Sequence, residues 1–232
     1  HRVDRRQRQM CIRDRVLSWQ ASHRERLYLS PTSVCDGTTA IRGGIPVCFP
    51  QFNQRGTLPK HGFARNMAWR LLNEQSQGPE KVFELSDNAH TQAAWPFKFK
   101  AQLKVSLAAR SLKVQLTVEN TGHQTLSFTG ALHTYFDVSH IDQVSLHGQA
   151  HQSEWDAVSD TYQACLGQLT FKTEFDRVYD VAPEKQPTWV LHDGHEQLRI
   201  AQSDSWGQSV VWNPYAEKCS QLTDMPALGY QR

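Results

Sequence analysis

Two arginines and two histidines carry most of the chemistry open to this sequence. Arg42, His61 and Arg65 lie within one stretch, RGGIPVCFPQFNQRGTLPKHGFAR, and His133 lies in LSFTGALHTYF. A guanidinium presents a planar fork of donors that suits a carboxylate, a phosphate or paired hydroxyls. An imidazole donates or accepts a proton near neutral pH. Lys60, beside His61, either adds charge toward an anion or is simply solvated. Pro46, Pro50 and Pro59 stiffen the stretch, while Gly43 and Gly44 let the backbone approach a ligand closely. No helical or strand period runs through it, so it is expected to fold as a loop. A stiff, donor-rich loop on a rigid scaffold suits a small polar anion or a sugar. A structural loop whose arginines pair with surface acids accounts for the same residues equally well.

His133 sits in an alternating run. Leu126, Phe128, Leu132 and Phe136 share one face, and Ser127, Thr129, Ala131, His133 and Tyr135 share the other. The imidazole therefore points away from the apolar layer, among small and hydroxyl-bearing groups that leave room for a polar ligand. The plain alternative is a surface or internally satisfied histidine.

Other chemistries leave little trace. There is no GxSxG elbow, no phosphate-cradling P-loop and no GxGxxG. Metal binding has weak support. His147 and His151 stand four apart around Gly148, and His192 and His195 flank a turn. The five cysteines, Cys11, Cys35, Cys48, Cys165 and Cys219, are odd in number and scattered, with no CxxC. They are expected to be small buried thiols of a cytoplasmic, reducing compartment rather than a disulfide framework or a zinc site.

The scaffold that must position these groups reads as β. FKFKAQLKVSL and LKVQLTVEN alternate apolar and polar residues, the period of a strand with one buried face and one wet face. LSFTGALHTYF follows a short turn and extends the pair into an antiparallel meander. VLSWQ, RLYLS, MAWRLL, KVFELS, QVSLHG, WVLHD, QLRIAQ and SVVWN continue the style, and SDNAHTQAAW allows a turn or two of helix. The expected fold is all-β, a large antiparallel β-sandwich forming one domain over residues 16–232. The first fifteen residues hold six arginines and two aspartates, and the rest of the chain is near neutral. That head is expected to lie outside the fold. A near-neutral body gives no reason to expect nucleic acid or a membrane surface as partner.

Several motifs together resemble a known family. IRGGIPVCFPQF, LPKHGFARNMAWRL, ALHTYFDV, FDRVYDV and WNPYAEK…DMPALGY occur in the order found in the hexose-6-phosphate mutarotases, or glucose-6-phosphate 1-epimerases. These belong to the aldose 1-epimerase superfamily, and the resemblance covers nearly all of residues 16–232. It implies a galactose-mutarotase-like β-sandwich and interconversion of the α and β anomers of an aldose 6-phosphate, glucose 6-phosphate above all. It implies ring opening, rotation about C1–C2 and reclosure, with neither metal nor organic cofactor. His133 resembles the general acid. Arg42, His61 and Arg65 resemble the substrate-binding set, and Asp176 in FDRVY resembles the carboxylate that holds sugar hydroxyls. The family's general base is a glutamate a few residues beyond the DMP…GY motif, where this sequence has ended. The sequence is therefore expected to be a fragment cut at both ends. Two other functions fit the same residues: a sugar-phosphate-binding β-sandwich without turnover, and a mutarotase of a free aldose.

Overall fold

The computed structural model describes residues 15–33, 41–181 and 188–232. The arginine-rich head before Arg15, with Cys11, and also Cys35, lie outside the described residues. What is described is mostly antiparallel strand, with two short α-helices, Ala89–Ala94 and Tyr215–Ser220. The all-β expectation holds. None of the described helices is long and apolar enough to cross a membrane.

Arg15 corrects the boundary of the head. It is 4% exposed, and its guanidinium donates to the carbonyls of Ile41 and Arg65. A buried arginine that satisfies two backbone acceptors is part of the fold.

The chain divides into two compact units. The first runs to Leu29 and takes in Ser33–Phe136; the second comprises Ser30–Thr32 and Asp137–Arg232. In the first, four antiparallel strands lie in the order Arg70–Leu71, Glu80–Ser86, Phe99–Ala108, Ser111–Asn120. Their register follows the alternation read in the sequence. Phe99, Ala101, Leu103 and Val105 are each at most 1% exposed. Each large apolar side chain so buried contributes roughly 1.5–3 kcal/mol. Lys100 and Lys104 occupy the wet face, paired with Glu119 and Glu80. The helix Ala89–Ala94 starts where Asn88 accepts from the backbone of His90 and Thr91, and Thr91 reciprocates to the Asn88 backbone.

The third alternating run departs from expectation. It does not extend the meander, and only Ala131–Leu132 is strand. Its partner is Val47–Cys48, inside the stretch expected to be loop. The pairing reaches further on one side only. Thr129 donates to Pro50 O, His133 to Pro46 O and Tyr135 to Gly44 O, all in the register of Val47 against Leu132. Proline has no N–H to return, so at positions 46 and 50 the reciprocal bonds cannot form. Residues 44–50 and 129–135 are thus a ladder interrupted by proline, which hides its period.

Phe49 fastens this ladder to the core. It is fully buried, and its ring meets those of Phe63, Trp95, Phe99 and Phe128 at 5.1–6.4 Å. Edge-to-face contacts of this kind each add about 0.5–1.5 kcal/mol beyond burial.

The second unit holds two four-stranded antiparallel sheets. One is ordered Thr161–Ala164, Ser153–Asp156, Phe175–Asp180, Gln208–Asn213. The other is ordered Gln168–Thr170, Val144–His147, Thr188–Asp193, Glu196–Ala201. Tyr179 and Trp189 are at its core, ring centroids 4.9 Å apart. The short helix Tyr215–Ser220, at six residues, gives no readable helical period.

Candidate active site

The proline-interrupted ladder brings together four of the five residues singled out in the sequence. His133 lies opposite Pro46, and alternation sends its side chain to the same face as Tyr135. The two rings stack, with centroids 4.7 Å apart and planes 15° from parallel.

His61 reaches this face through a loop latched at its base. Gln51, 3% exposed, donates to the carbonyls of Asn53 and Leu58 and accepts from the Leu58 N–H, at 2.9–3.0 Å. The Asn53 N–H then donates to His61 Nδ1 at 3.2 Å, and the His61 N–H returns a bond to Asn53 O at 3.0 Å. A ring nitrogen that accepts carries no proton, so the neutral imidazole holds its proton on Nε2. His61 pays for this placement with a backbone φ of 69°, a conformation costly for any residue but glycine. Gly62 follows at φ 67°, where an added Cβ would sit 2.3 Å from Phe49 O. Phe49 O itself accepts from the Phe63 and Ala64 N–H groups. The rings of His61 and His133 meet edge to face, 5.8 Å between centroids.

Arg65 lies on a short 3-10 turn, Ala64–Asn66, pinned by a bond from Trp69 Nε1 to Ala64 O. Its Nη2 donates to Lys60 O at 3.0 Å. Its Nε is a buried donor with no hydrogen-bond partner among the described residues, an unusual state for a charged group. Arg42 exchanges backbone bonds with the Ser33 hydroxyl and donates from Nη1 to the Tyr135 hydroxyl at 3.4 Å. The glycines of RGGIP are required by space. A Cβ at Gly43 would meet Tyr28 O at 2.4 Å, and one at Gly44 would meet Val16 O at 2.2 Å.

The electrostatics follow from this crowding of cations. His61 titrates far below its ordinary value, at about 3, through burial first and then Arg65, His133, Lys60 and Arg42. His133 falls to about 4, through burial first, opposed by a hydrogen bond to its own backbone carbonyl, with Arg42, Arg65 and Lys60 adding to the fall. Both rings are therefore neutral near pH 7. Burial pushes the nearby Cys48 thiol up to about 11 despite Arg65 and Arg15, leaving it inert as a nucleophile.

Asp176 belongs to the second unit. It is half-buried on the strand Phe175–Asp180, facing Trp212 in register. Next to it, Arg177 is ion-paired with Glu154 and Asp156. The histidine spacings considered for a metal resolve otherwise. His147 packs against His192 at 4.3 Å and bonds to Ser145, and His151 sits at a turn with φ 66°. No group of three or more metal-ligating side chains forms among the described residues. Cys48, Cys165 and Cys219 are buried free thiols, as expected.

Tyr135, Gln51 and Asn53 are site residues that motif reading passed over. Alternation had placed Tyr135 on the face of His133. The Gln51 and Asn53 latch is made with backbone groups and leaves no sequence pattern.

Comparison with known proteins gives a consistent picture. The profile of the family Aldose 1-epimerase matches residues 15–232. A protein of Escherichia coli K12 named "Putative glucose-6-phosphate 1-epimerase" is 36% identical over 225 residues, covering 93% of this chain and 73% of the relative. One of the same name from Cenchrus ciliaris is 32% identical over 231 residues, covering 93% of this chain and 69% of the relative. The crystal structure of a "putative mutarotase" from Salmonella typhimurium superposes with a TM-score of 0.82 at 28% identity, covering 94% of this chain and 74% of that one.

Proposed function

The chain belongs to the aldose 1-epimerase family, and from that premise we propose that it interconverts the α and β anomers of an aldose 6-phosphate, with glucose 6-phosphate favoured. The observation that carries the phosphate is the convergence of Arg42, Arg65 and Lys60 on a histidine pair, with the buried Nε of Arg65 lacking an acceptor among the described residues. A guanidinium and a phosphate dianion form strong, directional hydrogen bonds.

In this account Arg42 and Arg65 hold the anionic end of the sugar. His61, its proton on Nε2, donates to a substrate oxygen. His133 passes a proton to the ring oxygen as the C1–O5 bond breaks, and a base takes the proton of the C1 hydroxyl. Rotation about C1–C2 and reclosure with the proton flow reversed give the other anomer. Positioned proton transfers of this kind contribute about 10²–10⁴-fold each.

The charge state of His133 ties the phosphate to the chemistry. Without an anion, burial and neighbouring cations keep the imidazole neutral, and a neutral imidazole is a poor acid. A dianion seated on those cations opposes their field and raises the proton affinity of the ring. A free aldose supplies no such charge. Anomerisation of glucose 6-phosphate and glucose, measured side by side, tests the assignment. Faster exchange of the phosphate is expected, and equal or faster exchange of free glucose would overturn it.

A further inference from the structure

Tyr135 touches both halves of the cluster. Its ring lies parallel to the His133 imidazole at 4.7 Å, and its hydroxyl accepts from Arg42 Nη1 at 3.4 Å. Its backbone is held from two sides. The N–H donates to Gly44 O at 2.9 Å, and the carbonyl accepts from Tyr28 at 3.0 Å. The stack is therefore set by strand register: residues 133 and 135 must project to one face.

This arrangement has a physical consequence for proton transfer. The outer torsion of a histidine is broad and roughly two-fold, so the backbone alone does not fix the plane of the imidazole. A parallel ring at stacking distance does, because rotating the imidazole would drive its edge into the tyrosine face. Proton transfer needs the donor within about 2.6–3.2 Å of the receiving atom and correctly aimed. The hydroxyl, meanwhile, gives the Arg42 fork a fixed neighbour.

We propose that Tyr135 is a positioning residue that couples the anion-binding arginine to the acid: its ring sets the plane of His133 and its hydroxyl sets the fork of Arg42. This rests on the site assignment made above. Two variants separate the two roles. Tyr135→Phe keeps the ring and loses the hydroxyl; the KM for glucose 6-phosphate rises about three- to tenfold, the loss of one hydrogen bond, with kcat within about twofold. Tyr135→Leu also removes the stack, and kcat falls about ten- to a hundredfold, the scale of a misaligned catalytic group.

A merely structural role would lower thermal stability in both variants without dividing KM from kcat. Unchanged kcat in folded Tyr135→Leu would overturn the proposal. If that variant does not fold, Tyr135→Phe decides alone: raised KM at constant kcat supports the coupling, and unchanged KM refutes it. Should the full-length parent protein, native ends included, show no exchange above buffer, the assigned reaction fails. Relaxation of the His133 ring C–H pairs in NMR then tests the positioning separately. A ring rigid in the parent and mobile in Tyr135→Leu supports it, and equal rigidity in both contradicts it.

Discussion

His61 and His133, far apart in the sequence, meet edge to face with ring centroids 5.8 Å apart, and both sit where burial disfavours a charged imidazole. Both titrate well below the ordinary 6.5, at about 3 and about 4. A base whose folded value is depressed stabilises the fold fully above the unfolded value and loses that contribution as pH falls toward the folded one. The window here runs from pH 6.5 down to about 4 and 3. Urea midpoints measured from pH 7 to pH 4 are expected to fall, with His133→Asn removing on the order of 1–2 kcal/mol of that dependence. A slope identical in parent and variant would show that His133 is not held neutral by the fold.

Ligand charge should act in the opposite direction. Glucose 6-phosphate binding at pH 6 is expected to take up more protons in the parent than in His133→Ala, because the protons released by the ligand's own phosphate, with a second pKa of about 6, are the same in both. Calorimetry in two buffers of different ionisation enthalpy reads this difference. An equal proton balance in parent and variant would detach the anion from His133.

Arg65→Ala should weaken glucose 6-phosphate binding about tenfold to a hundredfold, the range of a charge-assisted hydrogen bond of about 1.5–3 kcal/mol. Arg65→Lys, which retains charge but not the fork, should recover part of it. Titration calorimetry distinguishes the two, and full affinity in Arg65→Ala would remove Arg65 from the anion site.

The scaffold makes its own prediction at Gly62. An alanine there combines φ 67° with a Cβ 2.3 Å from a backbone oxygen and should cost about 2–4 kcal/mol. Gly78, at φ 52° with nothing within 4 Å, is the control, at about 1 kcal/mol. Equal thermal shifts for the two variants would contradict the packing argument.

Gln51→Leu should cost about 2–4 kcal/mol, because Asn53 and Leu58 lose the side chain that satisfies their backbone groups. It should also loosen His61. Chemical denaturation checks the first effect, and a cost below about 0.5 kcal/mol would deny the latch.

The strands with one buried and one wet face were legible because alternation survives wherever a strand packs on a single core. Phe99–Ala108 shows this most clearly, with Phe99, Ala101, Leu103 and Val105 buried in strict alternation. The ladder of residues 44–50 with 129–135 was not legible, since Pro46 and Pro50 break both the period and the reciprocal bonds. Arg15 looked like part of a charged tail because its acceptors, Ile41 and Arg65, are distant in sequence. At the candidate site the histidines and arginines stood out by type, and their roles came from resemblance. The tautomer of His61 had no sequence signal, because the Asn53 backbone sets it.

The most direct test of the central claim is anomer exchange of glucose 6-phosphate, followed by NMR with the full-length protein, native ends included, and with its His133→Ala variant in parallel. The account predicts exchange well above the buffer rate for the unmodified protein. It predicts a fall of about 10²-fold or more, toward the buffer rate, when His133 is removed. Exchange at the buffer rate for the unmodified full-length protein, or exchange unaffected by His133→Ala, would contradict it.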